Sequence, residues 1–139
     1  MTRTRTLLCW AYGLIAVAAL ALTWSQFVLD GPTSLAGFWM RMTANHTTRG
    51  ITVDLAFFLL AAALFMVGEA RRLNIRFVWL YLVLGYLIDI SVAFPIFLIV
   101  RERAMARTGE TDAGFTASDL VAVAAVTAVV AWESWLVLR

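Results

Sequence analysis

Four apolar runs, residues 7–29, 51–70, 77–100 and 118–138, fill most of this 139-residue chain. A helix rises about 1.5 Å per residue, so roughly 20 residues cross the ~30 Å hydrocarbon core of a bilayer. Each run is long enough to do so. The fold expected is therefore all-α: an integral membrane protein, a four-transmembrane-helix bundle with short loops, forming one transmembrane domain over residues 1–139.

The flanks of the runs support this reading. Trp10 and Tyr12 near one end of the first run and Trp24 near the other have the spacing of aromatic belts at two interfaces. Asp30-Gly31-Pro32 ends it with turn-favouring residues, and the patch Leu35-Ala36-Gly37-Phe38-Trp39-Met40 reads as a short segment lying on the membrane. Arg71-Arg72-Leu73-Asn74-Ile75-Arg76 forms a basic turn after the second run, and Arg101-Glu102-Arg103 closes the third. Thr52-Val53-Asp54-Leu55 and Ala117-Ser118-Asp119-Leu120 open the second and fourth runs alike. Each aspartate is placed to cap its helix, and four spans would make these two helices parallel, as a duplicated hairpin requires.

Composition excludes several classes. The chain is 63% hydrophobic with a mean hydropathy of +0.86, which rules out an ordinary soluble domain. All eleven basic residues are arginine, and the net charge is only +2. The arginines lie at the edges of runs rather than on one continuous surface, so nucleic acid is not an expected partner. Cys9 stands alone, which excludes an intrachain disulfide and a cysteine-based zinc site. Leu8 before it does not suit a lipoprotein signal. The first run outlasts a signal peptide's core and reads as a membrane helix. His46, the single histidine, lacks neighbouring ligands, and no phosphate-binding loop or nucleophile elbow is present. No catalytic residue, metal site or cofactor is expected. The abundance of alanine and arginine suggests a GC-rich bacterium, and the localisation expected is the bacterial inner membrane. With the N-terminus in the cytoplasm, Arg3, Arg5, Arg71, Arg72, Arg76 and Arg139 fall inside and Arg41, Arg49, Arg101, Arg103 and Arg107 outside, a narrow positive-inside bias.

Asp89 is the one ionisable side chain near mid-membrane depth. A carboxyl group there is costly unless protonated, hydrogen-bonded or paired. On a continuous helix, Gly85 and Ala93 lie one turn to either side, with Tyr86 as the i−3 neighbour, so Gly85, Asp89 and Ala93 form a stripe that admits a close helix. Asp89, Tyr86, Gly85 and Ala93 are thus a candidate intramembrane polar contact. Pro95 should bend the outer part of that helix. Glu69, Arg71, Arg72 and Arg76 form a candidate collar for anionic lipid, with Arg72 placed to pair with Glu69. The plain alternative is a membrane-edge anchor. Ala124, Thr127, Ala128 and Ala131 make a small-residue face on the fourth run, suited to close packing on its own bundle or on a partner.

With these motifs in place, the chain resembles a family of small bacterial multi-span membrane proteins catalogued as a domain of unknown function. The residues that carry the likeness are Asp54-Leu55, Glu69-Ala70-Arg71-Arg72, Pro95-Ile96-Phe97-Leu98 and Arg101-Glu102-Arg103. It covers about residues 1–103, leaving the fourth run as an addition. The resemblance implies membrane topology and no established activity.

The role expected is a non-enzymatic accessory or scaffold subunit of a larger membrane complex, such as a lipid transporter or respiratory assembly. Its partners would be membrane lipids and other membrane-protein subunits. The alternatives are a small transporter or channel using Asp89 for a proton or solute, and a membrane enzyme with Asp89, Glu69 or Glu133 as general acid.

Overall fold

The computed structural model describes residues 2–31, 34–110 and 116–137. Among these the chain is all-α, with six helices: α1 (Arg3–Asp30), α2 (Leu35–Met42), α3 (His46–Arg72), α4 (Val78–Leu87), α5 (Ile90–Thr108) and α6 (Ala117–Val137). Three of them, α1, α3 and α6, are long and apolar enough to cross a membrane. The third expected span, residues 77–100, is not a single helix.

Local chemistry sets most boundaries. Gly31 ends α1 at φ 76°, where a side chain would be strained, and its amide donates to the Val28 carbonyl at 3.2 Å. Ser34 caps α2 by accepting from the Gly37 amide at 3.1 Å. The expected surface patch is therefore helical, and Phe38 holds it against Phe27 with ring centroids 5.9 Å apart. Asn45 and Thr48 form a reciprocal capping box that starts α3 at His46, earlier than the run at residue 51 implied. Asp54 consequently lies exposed inside α3 and caps nothing. Asp119 behaves as expected in the first turn of α6: its carboxylate accepts from the Thr116 amide and hydroxyl at 2.9 and 2.6 Å.

The third run turns back on itself. α4 and α5 are antiparallel halves of a hairpin, joined through Ile88 and Asp89. Tyr81 and Phe97 stack edge-on with centroids 5.7 Å apart, although sixteen residues of one straight helix would separate them by about 24 Å. Gly85 allows this closeness: a Cβ there would lie 3.0 Å from Ile90 Cδ1 and 3.6 Å from Ala93 Cβ. The bend expected at Pro95 is replaced by a break six residues earlier, and Pro95 is buried inside α5.

The core joins the hairpin to α3. Ala62, Met66 and Ala70 of α3 pack with Ile90 and Phe97 of α5, and Val78, Tyr81 and Leu82 of α4 close over them. Met66 and Phe97 are fully buried. Small side chains at Ala62, Ala70, Gly85 and Ala93 let the backbones approach, the main source of helix association where lipid is as apolar as leucine. α5 also packs along α1, antiparallel to it, while α3 runs parallel to α5. The start of α1 and the ends of α3 and α5 thus share one end of the bundle.

α6 stands apart. None of its residues with a described side chain is buried, and no other helix packs substantially against it. Its last turns approach α1 across an open groove, which makes it parallel to α1 and antiparallel to α3. The duplicated hairpin expected from the two aspartate motifs is therefore absent. The start of α1 and the end of α6 also lie at opposite ends, where four spans would have brought them together.

Candidate functional site

Asp89 sits at the tip of the hairpin, at the junction of α4 and α5. Its backbone is extended, φ −175° and ψ 131°, and its carboxylate accepts from the Ser91 amide at 2.8 Å. The break is nearly self-sufficient in hydrogen bonds. The amides of Ile88 and Asp89 donate to the Leu84 carbonyl, and those of Val92 and Ala93 donate to the Asp89 carbonyl. Backbone at membrane depth survives only when its polar groups are satisfied in this way. Asp89 is suited to the place because a carboxylate at a helix N-terminus meets the positive end of the helix dipole. It is half-buried, whereas Tyr86 is 67% exposed and shares no hydrogen bond with it among the described residues. The stripe of Gly85, Asp89 and Ala93 does not exist on one helix; Gly85 and Ala93 face each other across the hairpin.

The second site is the end where α1, α3 and α5 meet. Glu69, in the last turn of α3, is an anion at the unfavourable pole of its helix. Arg72 grips it as a fork, Nε donating to Oε1 at 2.8 Å and Nη2 to Oε2 at 2.9 Å. The same guanidinium donates from Nη1 to both oxygens of Glu110 at 2.7 and 2.9 Å, tying the end of α3 to the end of α5. From α5, Arg101 donates to Glu69 Oε2 and, at 3.1 Å, to Glu102 Oε1, and lies over the Phe65 ring. Arg5 of α1 is 3% exposed and donates to the Glu110 carbonyl. Glu102 is equally buried. Three arginines and three glutamates, from positions 5 to 110, thus form one electrically balanced cluster.

The expected Glu69–Arg72 pair is present, and both side chains also bond to groups beyond α3. Glu69 is mostly covered and meets Arg101 of α5, and Arg72 reaches Glu110 while remaining exposed, as Arg71 and Arg76 are. Arg101, Arg103 and Arg107 also need correction, because the hairpin returns them to the end that holds Arg71, Arg72 and Arg76. Eight arginines (3, 5, 71, 72, 76, 101, 103 and 107) gather there, and Arg41 and Arg49 mark the other end. Arg139 lies outside the described residues. The roles of Arg5 and Glu110 escaped the sequence reading altogether. Their signal was the arginine count itself, which is lopsided only if the third run folds back.

Glu133 lies near the opposite end, in an open groove of about 400 Å³ between α1 and α6 that Thr23, Gln26 and Ser134 also line. Asp89, Glu69 and Glu133 thus sit on three different structural features: a hairpin tip, an ion cluster and a groove.

Neither the curated proteins nor the solved structures contain a match to this chain. The family DUF2834, described as a protein of unknown function, matches residues 11–103, which is 93 of 139 residues. The matched segment runs from α1 through the hairpin to Arg103 and stops before α6. A bundle of α1, α3 and a folded-back α4–α5 pair, closed by Glu69-Ala70-Arg71-Arg72 and Arg101-Glu102-Arg103, is what that match encloses, and the chain belongs to the DUF2834 family of proteins of unknown function.

Proposed function

We propose that this chain is a non-enzymatic accessory subunit of a larger assembly in a bacterial cytoplasmic membrane, and that α6 docks it there. The observation that carries this reading is the isolation of α6. A helix of 21 residues that is apolar enough to span contributes nothing to the core of its own bundle. Helices in lipid associate through close packing of small residues, and Ala124, Thr127, Ala128 and Ala131 offer such a face. The charged end faces the cytoplasm in this reading, as eight arginines against two among the described residues favour. The test is photo-crosslinking in native membranes. A crosslinker at Ala128 should give a protein adduct of one discrete mass, whereas one at Leu20 on the exposed side of α1 should capture lipid. An adduct of twice the chain mass would mean self-assembly instead, and lipid alone at both positions would sink the proposal.

A second reading, a small proton- or solute-handling protein, draws on a separate observation: the break at Asp89. Discontinuous helices whose N-termini lie inside the membrane build the ion and substrate sites of many transporters. Asp89→Asn preserves the cap and removes the charge. In reconstituted vesicles, a proton flux abolished by this change with the fold intact would favour the transporter, and no flux in the unaltered protein would eliminate it.

A further inference from the structure

We infer that the charged end of the bundle is a binding surface for the headgroups of anionic phospholipids, built by Arg71, Arg76, Arg103 and Arg107 with Arg3. The inference rests on the division of labour among the eight arginines gathered there. Glu69, Glu102 and Glu110 are the carboxylates in the cluster at this end, and Arg5, Arg72 and Arg101 match them in number and charge. The remaining five, Arg3, Arg71, Arg76, Arg103 and Arg107, are all exposed, and none forms an ion pair among the described residues. Their charge is therefore not spent inside the fold.

They also come from three separate parts of the chain. Arg3 opens α1, Arg71 lies in the last turn of α3, Arg76 in the turn before α4, and Arg103 and Arg107 on the last turns of α5. The cluster of Glu69, Arg72, Arg101 and Glu110 fixes the ends of α3 and α5 side by side, so these cations are held at one end of the bundle by bonds that do not involve them. Trp10, seven residues after Arg3, and Trp79, three residues after Arg76, are exposed, as membrane-interface aromatics are. A guanidinium offers a planar fork of donors that fits a phosphate bidentately, and several at one end of a bundle can meet the phosphates of one leaflet. A soluble anion would need convergence on one point, whereas these cations are spread over the start of α1, the α3–α4 turn and the end of α5. Lipid is the occupant it fits.

The consequence concerns orientation and retention. Such a set of cations holds the end of the bundle at an anionic leaflet, and both feet of the α4–α5 hairpin stand in that same leaflet. The experiment uses the full-length protein in zwitterionic detergent micelles and follows tryptophan quenching on addition of phosphatidylglycerol with brominated chains. Phosphatidylcholine with the same chains is the comparison. Phosphatidylglycerol should bind about tenfold more tightly or better, since each basic group near such a surface contributes measurably. Replacing Arg71, Arg76, Arg103 and Arg107 together by Gln should remove the preference, and replacing all four by Lys should keep most of it. Arg41→Gln with Arg49→Gln, at the other end, should leave it unchanged. Absence of any preference, its survival in the fourfold Gln variant, or equal loss in the Arg41/Arg49 variant would each overturn the inference. Displacement by inorganic phosphate, beyond the effect of an equal ionic strength of chloride, would assign the site to free anions instead.

Discussion

The third and fourth apolar runs are each long enough to cross a bilayer, yet one folds back on itself and the other stands straight and alone. Residues 77–100 become α4, a two-residue break and the first half of α5, which together pack one face against α3 to form the core. Residues 117–137 become α6, which touches almost nothing. Two local differences separate them. The third run carries Asp89 at its centre, a residue that caps helices readily, with Gly85 one turn before it to let the returning backbone approach. The fourth has no acid between Asp119 and Glu133 and no glycine at all. Length against bilayer thickness says that a run can cross; it does not say that it does.

The sharpest way to break this comparison is topological. Topology reporters fused after Asn74, Glu110 and Arg139 should place the first two on one side of the membrane and the third on the other. A continuous third span would separate Asn74 from Glu110. That pattern would convert the hairpin back into a crossing and move Arg101, Arg103 and Arg107 to the opposite face.

Next in size is the effect of a wedge. Gly85→Leu drives a branched side chain into Ile90 and Ala93, and overpacking of this kind costs about 1–3 kcal/mol. Ala128→Leu, the same enlargement on exposed α6, should stay within about 0.5 kcal/mol. Denaturation in mild detergent reads both. Equal costs would mean that α6 is as tightly packed as the hairpin and that the contrast between them fails.

A smaller effect is expected at the break itself. Asp89→Ala removes the acceptor for the Ser91 amide and should destabilise the fold by about 0.5–2 kcal/mol. Asp89→Asn should be nearly neutral because asparagine caps as well. Were Asn as harmful as Ala, the carboxylate charge, and not the cap, would be holding the break. The same pair of changes at Glu133 on α6 should leave stability unaltered.

Much of the architecture was legible locally. Helical character, the ends at Gly31 and near Arg72, the surface helix at Leu35–Met42 and the Glu69–Arg72 pair follow from run length, turn residues and spacing within a few positions. These features depend only on neighbours along the chain. Asp89 is singled out by its place at the centre of an apolar run, but its local environment differs from the expected one. The stripe of Gly85, Asp89 and Ala93 presupposed an unbroken helix, and a cap at that position is invisible to hydropathy. Asp54 illustrates the reverse error: it has the composition of a cap, but Asn45 and Thr48 took that role nine residues earlier.

By itself, then, the sequence determined an all-α chain of apolar helices with arginine-rich edges, because helix formation and hydrophobic length are properties of contiguous residues. Tertiary structure decided the rest. A run that enters and returns has the same hydropathy as one that crosses, and only contacts between residues distant along the chain tell them apart: Tyr81 on Phe97, Ile90 against Gly85, Arg72 between Glu69 and Glu110. Those contacts set the direction of α5, and that direction placed eight arginines at one end and left α6 without a place in the core.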